Sequence, residues 1–254
     1  MSTVLWTTVA VALVLLALAA HEAAHALVLR KLGFRIVEAG LGIPLPPRIV
    51  LPASRRIPFR LSLSPWLVGA YVTPDPAQQG AIDALPYRDV AWYSGAGVIV
   101  NLVSGGAFLA VLDVVNGRWV AFAICLGVTA ALCVARRCVA AYVLPFVGVP
   151  VMLWLGYSLV KSVGAPEGPV GVGALLVVST PYQAILAGGM AVPLGVGILN
   201  TIPLYPFDGG RIMDAALSRL LGVRAASVFR VASSVLAGCL VAYSMLSDVV
   251  WLVR

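Results

Sequence analysis

The stretch that most limits what this chain can become is a pair of histidines around a glutamate, set inside a long apolar run. Val4 to Arg30 is almost continuously apolar, and Ala19-Ala20-His21-Glu22-Ala23-Ala24-His25-Ala26-Leu27 lies in its second half. Read as a helix rising about 1.5 Å per residue, Val4 to Ala20 covers about 25 Å of a hydrocarbon layer about 30 Å thick. The motif therefore falls at membrane depth, close to one side. A carboxylate there costs on the order of a few kcal/mol by insertion scales, so it is expected to serve a function. Each helical residue advances about 100°, which puts His21 and His25 on one face a turn apart with Glu22 beside them. Two imidazoles so spaced can each give a nitrogen to one zinc ion, and the glutamate is placed to handle a proton of the water that such an ion activates. The chain has 2 histidines, and these are both of them. The plain alternative is a chance motif whose histidines simply pack in a core. The depth of Glu22 weighs against it.

The 254 residues are 61% hydrophobic and 11% charged, whereas a soluble domain carries about 25% charged residues. That balance predicts an α-helical polytopic membrane protein. About six transmembrane helices are expected, with a small membrane-associated β segment over residues 32–72 between the first two, all in one integral membrane unit over residues 1–254. The first run lacks a basic leading region and itself carries the motif, so it is read as retained rather than as a removable signal. The net charge of +7 implies no nucleic-acid partner, because in a membrane chain the placement of charge matters more than its sum. Cys125, Cys133, Cys138 and Cys239 lie in or beside apolar stretches without ligand spacing. They are read as packing residues rather than disulfide partners.

The core helices are expected at about 4–30, 89–115 and 182–208, with further spans at about 119–135, 139–160 and 225–250 and a short amphipathic helix from Arg211 to Leu221. Nine prolines from Pro44 to Pro86 forbid a long helix after the first span. Phe34 to Glu38 and Phe59 to Leu63 alternate as strands do, and Leu67 to Val72 could add another. With six spans, fourteen of the 17 basic residues fall on one side. By the positive-inside rule that side is cytoplasmic, which places the N-terminus outside and the motif end of the first helix toward the cytosol.

A catalytic zinc site usually has three protein ligands and one open position. The third is expected at matching depth. Asn200-Thr201-Ile202-Pro203-Leu204-Tyr205-Pro206-Phe207-Asp208-Gly209-Gly210-Arg211 offers Asp208, expected to end a span on the same side. Pro203 and Pro206 break the helix, Gly209-Gly210 permits a sharp turn, and Arg211 returns to water. Alone, Asp-Gly-Gly would be an ordinary turn; the incomplete metal site raises its functional reading.

With both stretches in hand, the chain resembles the site-2 protease family of intramembrane zinc metalloproteases. His21-Glu22-Ala23-Ala24-His25 is similar to that family's first motif, and Asn200-x-x-Pro203-x-x-x-x-Asp208-Gly209 to its second. Ala96-Gly97-Val98-Ile99-Val100-Asn101 resembles a third, with Val98 where the family often has proline. Gly69-Ala70-Tyr71-Val72 resembles the strand before the second core helix, and Leu32 to Pro47 the family's β segment. Residues 116–160 fall outside this likeness and read as an insertion. The resemblance implies one zinc ion held by His21, His25 and Asp208, with Glu22 as base. It implies that Asn200 binds the substrate backbone or the oxyanion; Asn101 is a second candidate, for which a helix–helix hydrogen bond is an equal explanation. The implied partners are a transmembrane substrate protein and the lipid bilayer, in a multi-pass cell-membrane setting of regulated intramembrane proteolysis. An edge strand of the β segment would receive the unwound substrate.

Two other readings compete. A metal-binding transporter would use the histidines and Asp208 but has no clear need for Glu22, and a catalytically inactive scaffold has little reason to keep the whole set. A zincin with a glutamate as third ligand fails on inventory, because the remaining glutamates are Glu38 and Glu167 and the latter maps to the outer side.

Overall fold

The computed structural model describes residues 2–42, 44–55, 57–65, 69–115, 177 and 180–253. The expected spans at 119–135 and 139–160, three of the cysteines and residues 67 and 68 of the expected third strand lie outside them. Among the described residues, four helices are long and apolar enough to cross a membrane. α1 runs Ser2–Lys31. A short α2 at Gln79–Asp83 leads into α3, Tyr87–Val115. α4 covers Pro181–Thr201, α5 Asp208–Leu220 and α6 Val223–Val253. Each long helix starts or stops where charge or proline intervenes: Arg30 and Lys31 close α1, and Thr180 caps α4 ahead of Pro181, its hydroxyl accepting from the amide of Gln183 at 3.2 Å.

α3 is the hub, packing against α1, α4 and α5, while α6 lies against α5. α4 is not uniform. Its central residues, Ile185–Ala191, form a π-helical stretch between α-helical ends. Gly188 within it sits on the backbone of Ala10 in α1, where a Cβ would approach the Ala10 Cα to 2.8 Å. Ala10, Ala184 and Ala187 form the small apolar cluster at this crossing, backed by Trp6 and Val9. Small residues at crossings of this kind let membrane helices approach backbone to backbone.

The β segment between α1 and α3 holds four strands: β1 Ile36–Leu41, β2 Ile49–Leu51, β3 Arg60–Leu63 and β4 Ala70–Pro74. They form one sheet in the order β2-β3-β1-β4. β1 pairs parallel with β3 and antiparallel with β4, and β2 pairs antiparallel with β3. β3 lies within the stretch Phe59 to Leu63 whose alternation predicts a strand, and β1 overlaps the stretch Phe34 to Glu38 and runs three residues past it. β2 was not expected; it is three residues long and wholly exposed. Glu38, buried on the central β1, ties the sheet together. Arg48 and Arg60 pair with its carboxylate and the Tyr71 hydroxyl donates to it at 2.6 Å, which satisfies a charge that burial would otherwise penalise. A second apolar cluster of Ala26, Leu29, Ile36 and Ile82, joined by Phe34, Val72 and Tyr93, fixes the sheet and α2 against the motif end of α1.

The break between α4 and α5 corrects one expectation. Asp208 does not end a span; it is the first residue of α5. Pro203 and Pro206 hold residues 202–207 out of helix, with the Tyr205 amide donating to the Ser233 hydroxyl of α6 at 3.2 Å. Gly209 and Gly210 do not make the turn. They lie in the first turn of α5, where any Cβ would run into the main chain of Thr201 and Ile202 or of Leu204 and Tyr205.

Candidate metal centre

His21 and His25 are both buried, one helical turn apart on α1. Their Nε2 atoms stand 3.1 Å apart. Oδ2 of Asp208 faces both, 3.3 Å from Nε2 of His21 and 3.4 Å from Nε2 of His25. Neither approach has hydrogen-bond geometry, so this buried carboxylate oxygen has no hydrogen-bond partner among the described residues. Three donor atoms thus face one another at closely similar spacing. With zinc bonds of about 2.0–2.2 Å and tetrahedral angles, neighbouring donors stand about 3.3–3.5 Å apart. The residues fit such an ion in donor type, in spacing and in leaving one oxygen orphaned without it. Glu22 is half-buried beside them, its carboxylate and the two imidazoles offering atoms within 4.8 Å of one another.

The partners behind the histidines set which ring nitrogens face the centre. Nδ1 of His25 lies 2.8 Å from the main-chain carbonyl of Tyr93. A carbonyl can only accept, so Nδ1 carries the proton and Nε2 is left as a ligand. Nδ1 of His21 lies 3.0 Å from the amide of Asn101. Which end of that amide faces the ring is an assignment. As placed, Oδ1 of Asn101 is buried without a partner. Exchanging the two ends lets Oδ1 accept from His21 Nδ1–H, which frees His21 Nε2 in the same way.

α3 supplies this backing from one face. Tyr93, Gly97 and Asn101 follow at intervals of four, so they stack along the helix. Gly97, between the two partners, is where the rings come closest. A Cβ there would lie 2.5 Å from Nε2 of both histidines. The centre therefore needs a residue without a side chain at that position.

Asp208 opens α5, where the helix dipole favours a negative charge. Arg211, one turn on, is half-buried rather than returned to water. Its Nη1 donates to the Tyr93 hydroxyl at 3.1 Å.

With this geometry described, the comparisons can be read. A profile of peptidase family M50 matches residues 9–243. The chain belongs to peptidase family M50, the site-2 protease family. Comparison with curated proteins and with solved structures gave no match. Membership of M50 points to a metallopeptidase of the membrane, in keeping with the four apolar helices.

Of the six candidate site residues read from this M50 sequence, five meet at the centre: His21, Glu22, His25, Asp208 and Asn101. Asn200 does not; its amide donates to the Val196 carbonyl of its own helix at 3.1 Å. Asn101 meets His21, a contact suited to orienting a ligand. Tyr93 and Arg211 were not foreseen as parts of the site. Tyr93 contributes a main-chain carbonyl, which no side-chain pattern reveals, although its spacing of eight from Asn101 places both on one face of α3.

Proposed function

We propose that this chain is an intramembrane zinc metalloprotease that cleaves transmembrane segments of other proteins. The observation that carries the reading is the buried, unpartnered Oδ2 of Asp208, set at tetrahedral ligand spacing from two imidazole nitrogens. His21, His25 and Asp208 would hold one zinc ion. When bound, the ion lowers the pKa of a water toward about 7 and polarises the scissile carbonyl.

The rest of the reaction falls to the chain. Asn101 and the Tyr93 carbonyl keep the two rings turned with Nε2 inward. Glu22, beside them, accepts the proton of the attacking water and returns it to the leaving amine. The half-buried setting of Glu22 keeps bulk water from competing for that proton. Asn200 would contact the substrate backbone once a substrate breaks its bond to Val196, an uncharged donor being suited to a peptide carbonyl or an oxyanion. A helical substrate hides its peptide bonds and must unwind before attack; an exposed edge of the four-stranded sheet offers main-chain groups to receive it. The excess of basic residues on the motif side, counted over six spans, supports placing that end of α1 toward the cytoplasm.

The test is a paired measurement on detergent-purified protein: zinc per chain, and cleavage of a panel of single-span helical peptides. The parent and Glu22→Gln should each bind one zinc, Asp208→Asn should bind it weakly, and only the parent should cleave. Loss of the base is expected to reduce cleavage by about 100-fold or more. Zinc binding by the parent with equal cleavage by Glu22→Gln would overturn the role of the glutamate. A parent that binds zinc and cleaves no member of the panel would favour transport or scaffolding.

A further inference from the structure

The two halves of the centre come from helices at opposite ends of the chain, α1 and α5. One residue of a third helix touches both. The Tyr93 carbonyl accepts from His25 Nδ1 at 2.8 Å. Its ring meets the His25 ring edge to face, centroids 5.3 Å apart at 64°. Its hydroxyl accepts from Nη1 of Arg211 at 3.1 Å, and the guanidinium carbon lies 5.9 Å from the ring centroid. Arg211 is one turn after Asp208 on α5, so the two share a helix face. Among the described residues no carboxylate pairs with Arg211; the Tyr93 hydroxyl is its hydrogen-bond partner.

We propose that Tyr93 and Arg211 are positioning residues that together form a latch, closing α5 against α3 and thereby setting the distance between the Asp208 carboxylate and the two imidazoles. The inference rests on the metal-site reading given above and adds to it a pair of residues that touch neither metal nor substrate. The physical basis is direct. Asp208 stands next to a break in the chain, residues 202–207, where the described contacts are turn hydrogen bonds, the Ser233 contact, the close packing of Gly209 and Gly210 on that main chain and the Arg230 guanidinium over the Tyr205 ring. A charge-assisted bond from Arg211 to a rigid aromatic on the hub helix is the nearest side-chain restraint on that end of α5. Because Tyr93 also orients His25, the restraint sets the carboxylate relative to the imidazoles rather than relative to the bilayer.

Tyr93→Phe keeps the ring contact and the carbonyl and removes only the hydroxyl. Arg211→Gln removes the charge and the reach. Each variant and the double variant would be measured for zinc affinity by competition with a chromophoric chelator. The visible absorption of the cobalt-substituted protein would also be recorded, since it responds to ligand geometry. Each single change is expected to weaken zinc binding about tenfold, as removal of an outer partner typically does, and to alter the cobalt bands. The double variant should be no weaker than the singles, because either change alone opens the latch. Arg211→Lys, which keeps the charge and a donor, should recover part of the loss. Unchanged affinity and spectra in both single variants would overturn the latch, as would losses that multiply in the double variant. A parent chain that takes up neither zinc nor cobalt would instead overturn the metal-site reading itself.

Discussion

Gly97 offers the sharpest test of the geometry, because its neighbour Gly95 is a built-in control. A Cβ at position 97 would stand 2.5 Å from Nε2 of His21 and of His25, and 2.6 Å from Cε1 of His21; at position 95 it would meet nothing within 4 Å. Ordinary contacts of this kind lie at about 3.5–4.0 Å, so Gly97→Ala is short by about 1 Å. The rings cannot simply retreat, since the Tyr93 carbonyl and Asn101 hold them from behind. Overpacking of this sort costs about 1–3 kcal/mol. If the strain is relieved by pushing Nε2 off its ligand position, zinc affinity falls by about five- to 150-fold, at about 1.4 kcal/mol per decade. Both substitutions gain about 0.8–1.0 kcal/mol of helix propensity, so that term cancels between them. The assay is zinc competition against a chelator, alongside melting temperatures in detergent with and without zinc. Gly95→Ala should match the parent in affinity, and Gly97→Ala should lose both affinity and most of the zinc-dependent rise in melting temperature. Equal affinities for the two variants, within twofold, would refute the placement of α3 against the histidines.

Two further outcomes follow from the same contacts. Asn101→Leu should weaken zinc binding by about 10- to 100-fold, because it removes the partner that turns His21; intact affinity with a reduced kcat would instead assign Asn101 to the oxyanion. Gly188→Ala should lower thermal stability by about 1–3 kcal/mol, because the new Cβ meets the main chain of Ala10, while Gly195→Ala, with open space around it, should not; detergent melts of the pair would check this.

Much of the architecture was legible in the chain because two strong signals govern it. Apolar length marks the spans, and a histidine pair at four-residue spacing marks a ligand face whatever surrounds it. The Asp208 stretch was legible for a different reason: proline and glycine restrict backbone choices in ways that sequence records. What they did in space was less clear. The glycines after Asp208 read as a turn, yet they serve close approach, since the sequence shows the missing side chain but not the neighbour that requires it to be missing. β2 escaped notice because three exposed residues carry no burial pattern. Tyr93 escaped because its decisive atom is a carbonyl oxygen, which all residues possess. Arg211 reads as a surface charge until α3 places a phenol beside it. Asn101 reads either as an oxyanion candidate or as a helix–helix hydrogen-bonding residue, and only the fold shows that its partner is His21.

The π-helical stretch within α4 has a consequence for how this chain can change length. A π turn takes about one residue more than an α turn. Relative to a regular helix, everything after Ala191 is therefore displaced in rotational phase, and Gly188, which faces α1, and Gly197, which lies against Leu102 and Asn101 of α3, fall out of step by that amount. Deleting one residue between 185 and 191 would let the stretch relax to regular helix and leave the far end near its present phase, whereas deleting one of the α-helical residues 192–197, with the π stretch unchanged, would turn the far end by about 100°. In the second case Asn200 and the loop leading to Asp208 would swing with it. A single-residue deletion there, more than 10 residues upstream in sequence, would thus move a metal ligand without touching any residue of the centre. The span works as a counting device, in which the number of residues before the break matters as much as their identity.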